Sequence, residues 1–416
     1  MADEGVRRTS RGEGTATIGR SYERLGADAQ KRWRMLAVFP ETFDVAAAAA
    51  VWGIDEKTAE HALSSLIQQG MVEWDEQANR YYLREMMSDF ARAQMGENQS
   101  YEAGLYHAQH YLNVLQRADD LYLDGGESLT RGLALLDVER ENIEAGQTWA
   151  ANRASGDDAA ASLCSRYPNA GAHCLSQRQH GRERVRWREA ALAAAVRIRD
   201  RGAERGHLGH LGMVYRTLGE YRRAIDCYER HLQMARELND SRGEEQDLAN
   251  LGDAYECLGE YGNAIEFYEQ YLQLAKKLDD RRGEGNALGC IGAAYHSSGG
   301  YFQAIEYHEQ ALAIHREIGD WRGEGVALGN LGIAYYRLGQ HQQAVDCYGQ
   351  QLQIARAGHD RRGEGNALWN MSLALDEVGE RGKAIEFAEG ALRIREEIAD
   401  ANAEKVRARL AEWRAQ

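Results

Sequence analysis

Two pairs of histidines stand three residues apart, His107 with His110 and His207 with His210. On a helix that spacing puts both imidazoles on one face, where they could share a metal. Neither pair has the HExxH form or a carboxylate at metalloprotease spacing, so both read as surface or core histidines. The six cysteines, Cys164, Cys174, Cys227, Cys257, Cys290 and Cys347, occur singly, with no CxxC pair and no spacing of a zinc site or disulfide framework. They read as small buried hydrophobes. A phosphate-cradling GxxxxGK[ST] loop is absent, since GEGTATIG near the start lacks the lysine. No GxSxG elbow and no dinucleotide fingerprint occurs either. Nothing in the chain asks for an enzyme, a cofactor or a metal.

The elements that carry these residues are almost all helical. Only two prolines, Pro40 and Pro168, occur in 416 residues, as suits helices that lose a hydrogen bond at every internal proline. The length allows two or three domains, and 44% hydrophobic residues suits a globular chain. The formal charge of −15 opposes nucleic acid or an anionic membrane as partner. There is no run of eighteen apolar residues and no apolar core to the N-terminal segment, so neither a membrane span nor a secretory signal is expected, and the cytoplasm is the default compartment.

From Arg201 to Asp400 one 40-residue pattern recurs five times. A fixed period of this length marks a stacked solenoid. Two helical patterns in each copy are separated by glycine at Gly219, Gly259, Gly299, Gly339 or Gly379, which ends the first helix in a left-handed residue. Each copy closes on an aspartate, Asp240, Asp280, Asp320, Asp360 or Asp400, placed to cap the next helix. Leucine precedes a Leu/Ile-Gly pair and a tyrosine in the first helix (Leu248, Leu251-Gly252, Tyr255); Ala264-Ile265 and Leu272 mark the second. This spacing closely resembles the tetratricopeptide repeat (TPR), whose usual length is about 34 residues, in the longer form of Pins-type spindle adaptors and many bacterial signalling proteins. The resemblance implies an all-α, right-handed TPR superhelix (an α-α solenoid). A degenerate copy is traced at 161–200, with Pro168 disturbing its first helix, and 401–416 is a capping helix with Ala403, Val406, Leu410 and Trp413 on one face.

In that family the first helices line a concave groove, and the resemblance carries the groove positions onto this chain. They comprise Gln246, Asn286 and Asn366 near the helix starts, and Asp253, Ile333 and Leu373 just after the glycine position. Glu256, His296, Tyr336 and Asp376, with Arg337 and Trp369, complete the set, while Asn250, Asn330 and Asn370 sit one helical step away and could bond a partner's backbone. These positions change in charge and size from copy to copy while the leucines and glycines barely vary. Free drift of exposed positions is the rival reading, but the exposed Arg-Gly-Glu start is kept between copies. A protein or peptide ligand is therefore expected, with an apolar side chain near Trp369 and a basic residue near Glu256. Pins-type adaptors carry asparagine just after the glycine, where this chain has Met213, Asp253, Ala293, Ile333 and Leu373, so their ligand class does not transfer.

Residues 1–20 read as a disordered tail, 21–95 as three helices and a hairpin turning at Glu76 to Asn79, and 96–160 as a helical connector. The wording RMLAVFPETFDVAAAAAVWGID, continuing through ALSSLIQQGMVEWDEQANRYYL, resembles the winged helix that follows the nucleotide-binding core of NB-ARC or STAND ATPases. ALLDVERENIEAGQTWA resembles the helix leading into their repeats. Where that family offers a nucleotide-sensing histidine, this chain has Leu83-Arg84-Glu85. Either Arg84 has taken over a phosphate contact with a partner's nucleotide or the motif is vestigial, and the vestigial reading is preferred. The candidate recognition helix, Asp55 to Gln69, has Lys57 against Asp55, Glu56 and Glu60, a poor surface for DNA. The resemblance implies a non-catalytic recognition module, the sensor or scaffold part of a STAND signalling system, with a separate or upstream NTPase as a further partner. The alternatives are a stand-alone adaptor bridging two proteins and a winged-helix transcription regulator.

Overall fold

The computed structural model describes residues 16–415, and the fold divides into two compact units between Val214 and Tyr215. The expected tail falls mostly outside the described residues. Its last part does not fit the expectation: 16–20 open a helical segment, α1 (16–23), whose Ile18 is buried and packs into the first unit's core.

In the first unit α2 (Ala27–Met35), α3 (Val45–Trp52) and α4 (Glu56–Gln68) precede an antiparallel hairpin of β1 (Glu73–Asp75) and β2 (Arg80–Tyr82). Local chemistry sets the boundaries. Asp44 and Asp55 accept from the backbone N–H of Ala47 and Thr58, satisfying donors that α3 and α4 leave free. Asp75 accepts from the N–H of Gln77 and Ala78, and Asn79 takes a left-handed φ of 56°, which closes the turn. Phe43 exchanges backbone bonds with Tyr81, and Phe39, Phe43 and Tyr81 stack in series. These helices and the two-stranded wing are consistent with a small winged-helix-like part. After α5 (Glu85–Ala93), two long helices, α6 (Glu97–Leu123) and α7 (Gly126–Arg153), pack along each other. Next, α8 (Asp158–Ala170) continues through Pro168, stops at Gly171 and restarts as α9 (Ala172–Arg178), and α10 (Gly181–Arg197) folds back on α8. Pro168 thus sits inside the last turn of α8, and the break comes just after it.

The helix α11 (Arg201–Thr217) opens the regular array. The second unit continues it with α12 (Tyr221–Glu237), α13 (Ser241–Cys257), α14 (Tyr261–Lys277), α15 (Arg281–Ser297) and α16 (Tyr301–Glu317). Then come α17 (Trp321–Arg337), α18 (His341–Ala357), α19 (Arg361–Glu377), α20 (Arg381–Glu397) and the final α21 (Ala403–Ala415). Glycines 259, 299, 339 and 379 follow the first helices at φ of 75–88°. Asp240, Asp280, Asp320 and Asp360 accept from the N–H three residues on. The glycine of the Leu-Gly pair exists for close approach: a Cβ at Gly252 or Gly332 would run into the ring of Tyr268 or Tyr348 on the second helix. In the last pair the same two positions are Ser372 and Ala388, both buried, so the volume has moved from one helix to the other. The first helices α13, α15, α17 and α19 approach one another more closely than successive second helices do, which sets them on the inner side of the stack. Val406, Leu410 and Trp413 of α21 are buried at the end of the stack, against α20.

Candidate ligand-binding groove

The inner face presents one helix per repeat, so residues 40 apart become neighbours. Gln246, Asn286 and Asn366 are exposed near the helix starts. Gln246 donates to Asn250 Oδ1 at 3.3 Å, and Asn366 accepts from Arg395 at 3.1 Å. One turn deeper, Asn330 and Asn370 are half-buried, and among the described residues neither amide has a side-chain hydrogen bond.

Asp253 and Glu256 come together, but neither is a bare acid. Arg216 pairs with Asp253 at 2.7 Å, Tyr268 donates to Asp253 at 2.8 Å and reaches Glu256 at 3.3 Å, and Ser297 donates to Glu256 at 3.0 Å. Arg216 lies 37 residues before Asp253, one repeat less a helical turn, which is the signal that could have identified the pair. Asp376 is ion-paired with Arg381 and lies 4.0 Å from Arg409 of α21.

Ile333, Tyr336, Trp369 and Leu373 are all half-buried. Ile333 and Tyr336 pack with Met371 around Ala344, Tyr348 and Ala374, while Trp369, Met371 and Leu373 pack around Leu375 and the buried face of α21. Met371 therefore joins the two halves into one apolar patch; it occupies the scaffold leucine position, which hid it from the sequence reading. Arg337 is exposed at the rim, and His296, whose ring lies tilted 5.2 Å from that of Tyr301, has its pKa lowered by burial and by Arg337. The arrangement offers an apolar floor, two free amides and one exposed cation.

His107 is buried near Asn142, and its pKa is pushed down to about 3 by burial. Ser165 Oγ lies 3.2 Å from His207 Nε2, but the other ring nitrogen meets Arg188 at 3.4 Å, where a serine nucleophile's base would need a carboxylate. Among the described residues no group of three His, Cys, Asp or Glu is placed to hold a metal. Among the described residues no helix is long and apolar enough to cross a membrane. Arg84 sits just before the start of α5 without a side-chain bond to its backbone, and its side chain is mostly exposed and ion-paired to Glu73. A contact that sequence reasoning missed joins the wing to α7: Arg80 makes a buried fork to Glu139 at 2.6 and 2.7 Å and also donates to Thr42.

The tetratricopeptide repeat family matches residues 205–277, 284–357 and 327–397. No curated protein matches the chain in sequence. Among solved structures, the fold is similar to that of a Signal Transduction ATPase with Numerous Domains carrying a tetratricopeptide repeat sensor, from Pyrococcus horikoshii, at a TM-score of 0.50 and 17% identity. That match covers 94% of this chain and 60% of the other, so the chain spans less than two thirds of that protein. BtubC from P. vanneervenii has a TM-score of 0.48 at 19% identity, covering 53% of this chain and 93% of its own. Aspartyl phosphate phosphatase F from Bacillus subtilis has 0.46 at 13%, covering 94% and 95%. The recurring helix pairs, their capping aspartates and the family match agree: the chain carries an array of tetratricopeptide repeats between residues 205 and 397.

Proposed function

We propose that this chain is a non-catalytic recognition module that holds a protein or peptide segment against the first helices of its repeats. The observation that carries this reading is the juxtaposition on α17 and α19 of two unpartnered, half-buried amides, Asn330 and Asn370, with the apolar patch of Ile333, Tyr336, Trp369 and Leu373. An amide donates and accepts at once, which suits an extended backbone, and half-buried aromatics suit an apolar anchor. Glu256 keeps acceptor capacity beyond its bonds from Ser297 and Tyr268, and it would take a basic residue of the ligand. In this reading Gln246, Asn250, Asn286, His296, Arg337 and Asn366 line the rest of the path.

The winged-helix reading of the first unit, together with the fold shared with a STAND protein, supports a sensor or scaffold role in a signalling system of that kind, with a separate or upstream NTPase as partner and Arg84 a vestige. Selection of binders from a displayed peptide library by the full chain tests the proposal. Selected peptides should share an apolar residue and lose binding to an Asn330→Ala/Asn370→Ala variant. Binders without a shared residue, held equally by the variant, would remove the groove as the site.

A further inference from the structure

The hairpin built from α8, α9 and α10 departs from the later repeats at three points that meet in one cavity. In register with those repeats, Arg184 stands where Ala224, Ala264, Ala304, Ala344 and Ala384 are wholly buried. Arg188 stands where Tyr228, Tyr268, His308, Tyr348 and Ala388 stand. The helix opposite breaks at Gly171 instead of running its full length. Beside the break lies a cavity of about 230 Å³ whose lining includes Pro168, Leu175, Trp187, Met213 and both arginines.

Arg188 is chemically out of place. Its residue is 7% exposed, yet its partners are neutral: Asn169 Oδ1 at 2.8 Å, the Pro168 carbonyl at 3.1 Å and His207 Nδ1 at 3.4 Å. Burial, and then the charge of Arg184, push its pKa down to about 10, so it stays cationic at neutral pH. Arg184 has no ion pair or hydrogen bond among the described residues, and its Nε is buried without a partner. No carboxylate lines the cavity. The acids nearby are engaged: Asp119 accepts from His173 Nδ1 and from the N–H of His173 and Cys174, and Asp137 pairs with Arg178. A buried guanidinium without a counter-charge is costly, and a second beside it adds repulsion. An anion in the cavity would relieve both.

We propose that this cavity binds a carboxylate borne on a short apolar group, either the C-terminal residue of a peptide or a free apolar carboxylic acid. The guanidinium donors match a carboxylate, and the walls of Pro168, Leu175, Trp187 and Met213 accept an aliphatic side chain, which a phosphate lacks; His173, Ser176, Gln179 and His210 also line the cavity. The site lies in the first unit and stands or falls independently of the groove.

Thermal unfolding of the full chain is the test, with N-acetyl-leucine, N-acetyl-leucinamide, inorganic phosphate, and a leucine-ended peptide with a free or an amidated C-terminus. The free acids should raise the melting temperature, and the amides and phosphate should not. A peptide acid that binds more tightly than N-acetyl-leucine identifies a chain terminus as the source, and equal affinity identifies the free acid. Arg184→Ala should weaken the acid by about tenfold or more, and Arg188→Tyr, the residue of three later repeats, should abolish the shift. No shift with either acid, an equal shift with the amide or phosphate, or unchanged affinity in Arg184→Ala would overturn the assignment. The acid-against-amide comparison needs no variant, so a misfolded variant leaves it decisive.

Discussion

Arg80 and Glu139 join the wing to α7 with both ends of the pair buried. Glu139→Ala would leave a guanidinium inside the fold without its counter-charge, so urea unfolding should show a loss of about 3–5 kcal/mol. Removing the exposed Arg92–Asp89 pair should cost less than about 1 kcal/mol. Three buried histidines carry a second expectation. Burial pushes His107 down to about 3, and His207 and His308 to about 4. Their folded pKa values lie below the unfolded value, so the unfolded chain binds more protons. Stability is then fully present above about pH 6.5 and is lost as pH falls toward 4, by on the order of 1–2 kcal/mol per histidine between pH 7 and 5. His308→Tyr, the residue at this position in three sister repeats, should remove one share; an unchanged pH profile would contradict the assignment. His308 is legible in the sequence because its sisters are Tyr228, Tyr268 and Tyr348. Arg80 and Glu139 are not, because nothing local ties residues 59 apart.

Each 17-residue helix of the array is ended by a left-handed residue, but the two kinds of end differ. After first helices that residue is glycine, and the sequence announces it. Before the capping aspartates it is Asn239, Asp279, Gly319, His359 or Ala399, with φ of 53–67°. Only one of these is glycine, so this second stop was invisible to a reading that looked for glycines. Ala399 has neither the freedom of glycine nor a side chain that can bond locally. Ala399→Gly should therefore stabilise the chain by about 0.5–1 kcal/mol, while Gly339→Ala should destabilise it by about 1–2 kcal/mol. Paired thermal melts check both signs. The capping aspartates and the hairpin turn were legible because each is fixed by chemistry within four residues. The break after Pro168 was only half legible: the proline marks a weak point, but the restart after Gly171 is set by α6, where Leu115 leaves no room for a Cβ at Gly171 and Asp119 accepts from the N–H of His173 and Cys174.

At the scale of the molecule, the repeat period made the stacked helix pairs legible from sequence, while the content of the groove was less so. The positions could be carried over, but whether a side chain is free depends on neighbours from adjoining helices. Asp253 is met by Arg216 and Asp376 by Arg381, whereas the amides of Asn330 and Asn370 have no side-chain hydrogen bond among the described residues. If the module signals, ligand in the groove should alter amide exchange in residues 96–160 as well as in the repeats. Exchange changed in the repeats alone would reduce the chain to an adaptor without switching. The central claim is that the first helices form the binding face, and calorimetric titration of a selected peptide addresses it most directly. Affinity should fall by about tenfold or more in Asn330→Ala/Asn370→Ala and stay unchanged in Glu306→Ala on the second helix α16. Equal affinity for the intact chain and the asparagine variant, with loss in Glu306→Ala, would place recognition on the opposite face and contradict the account.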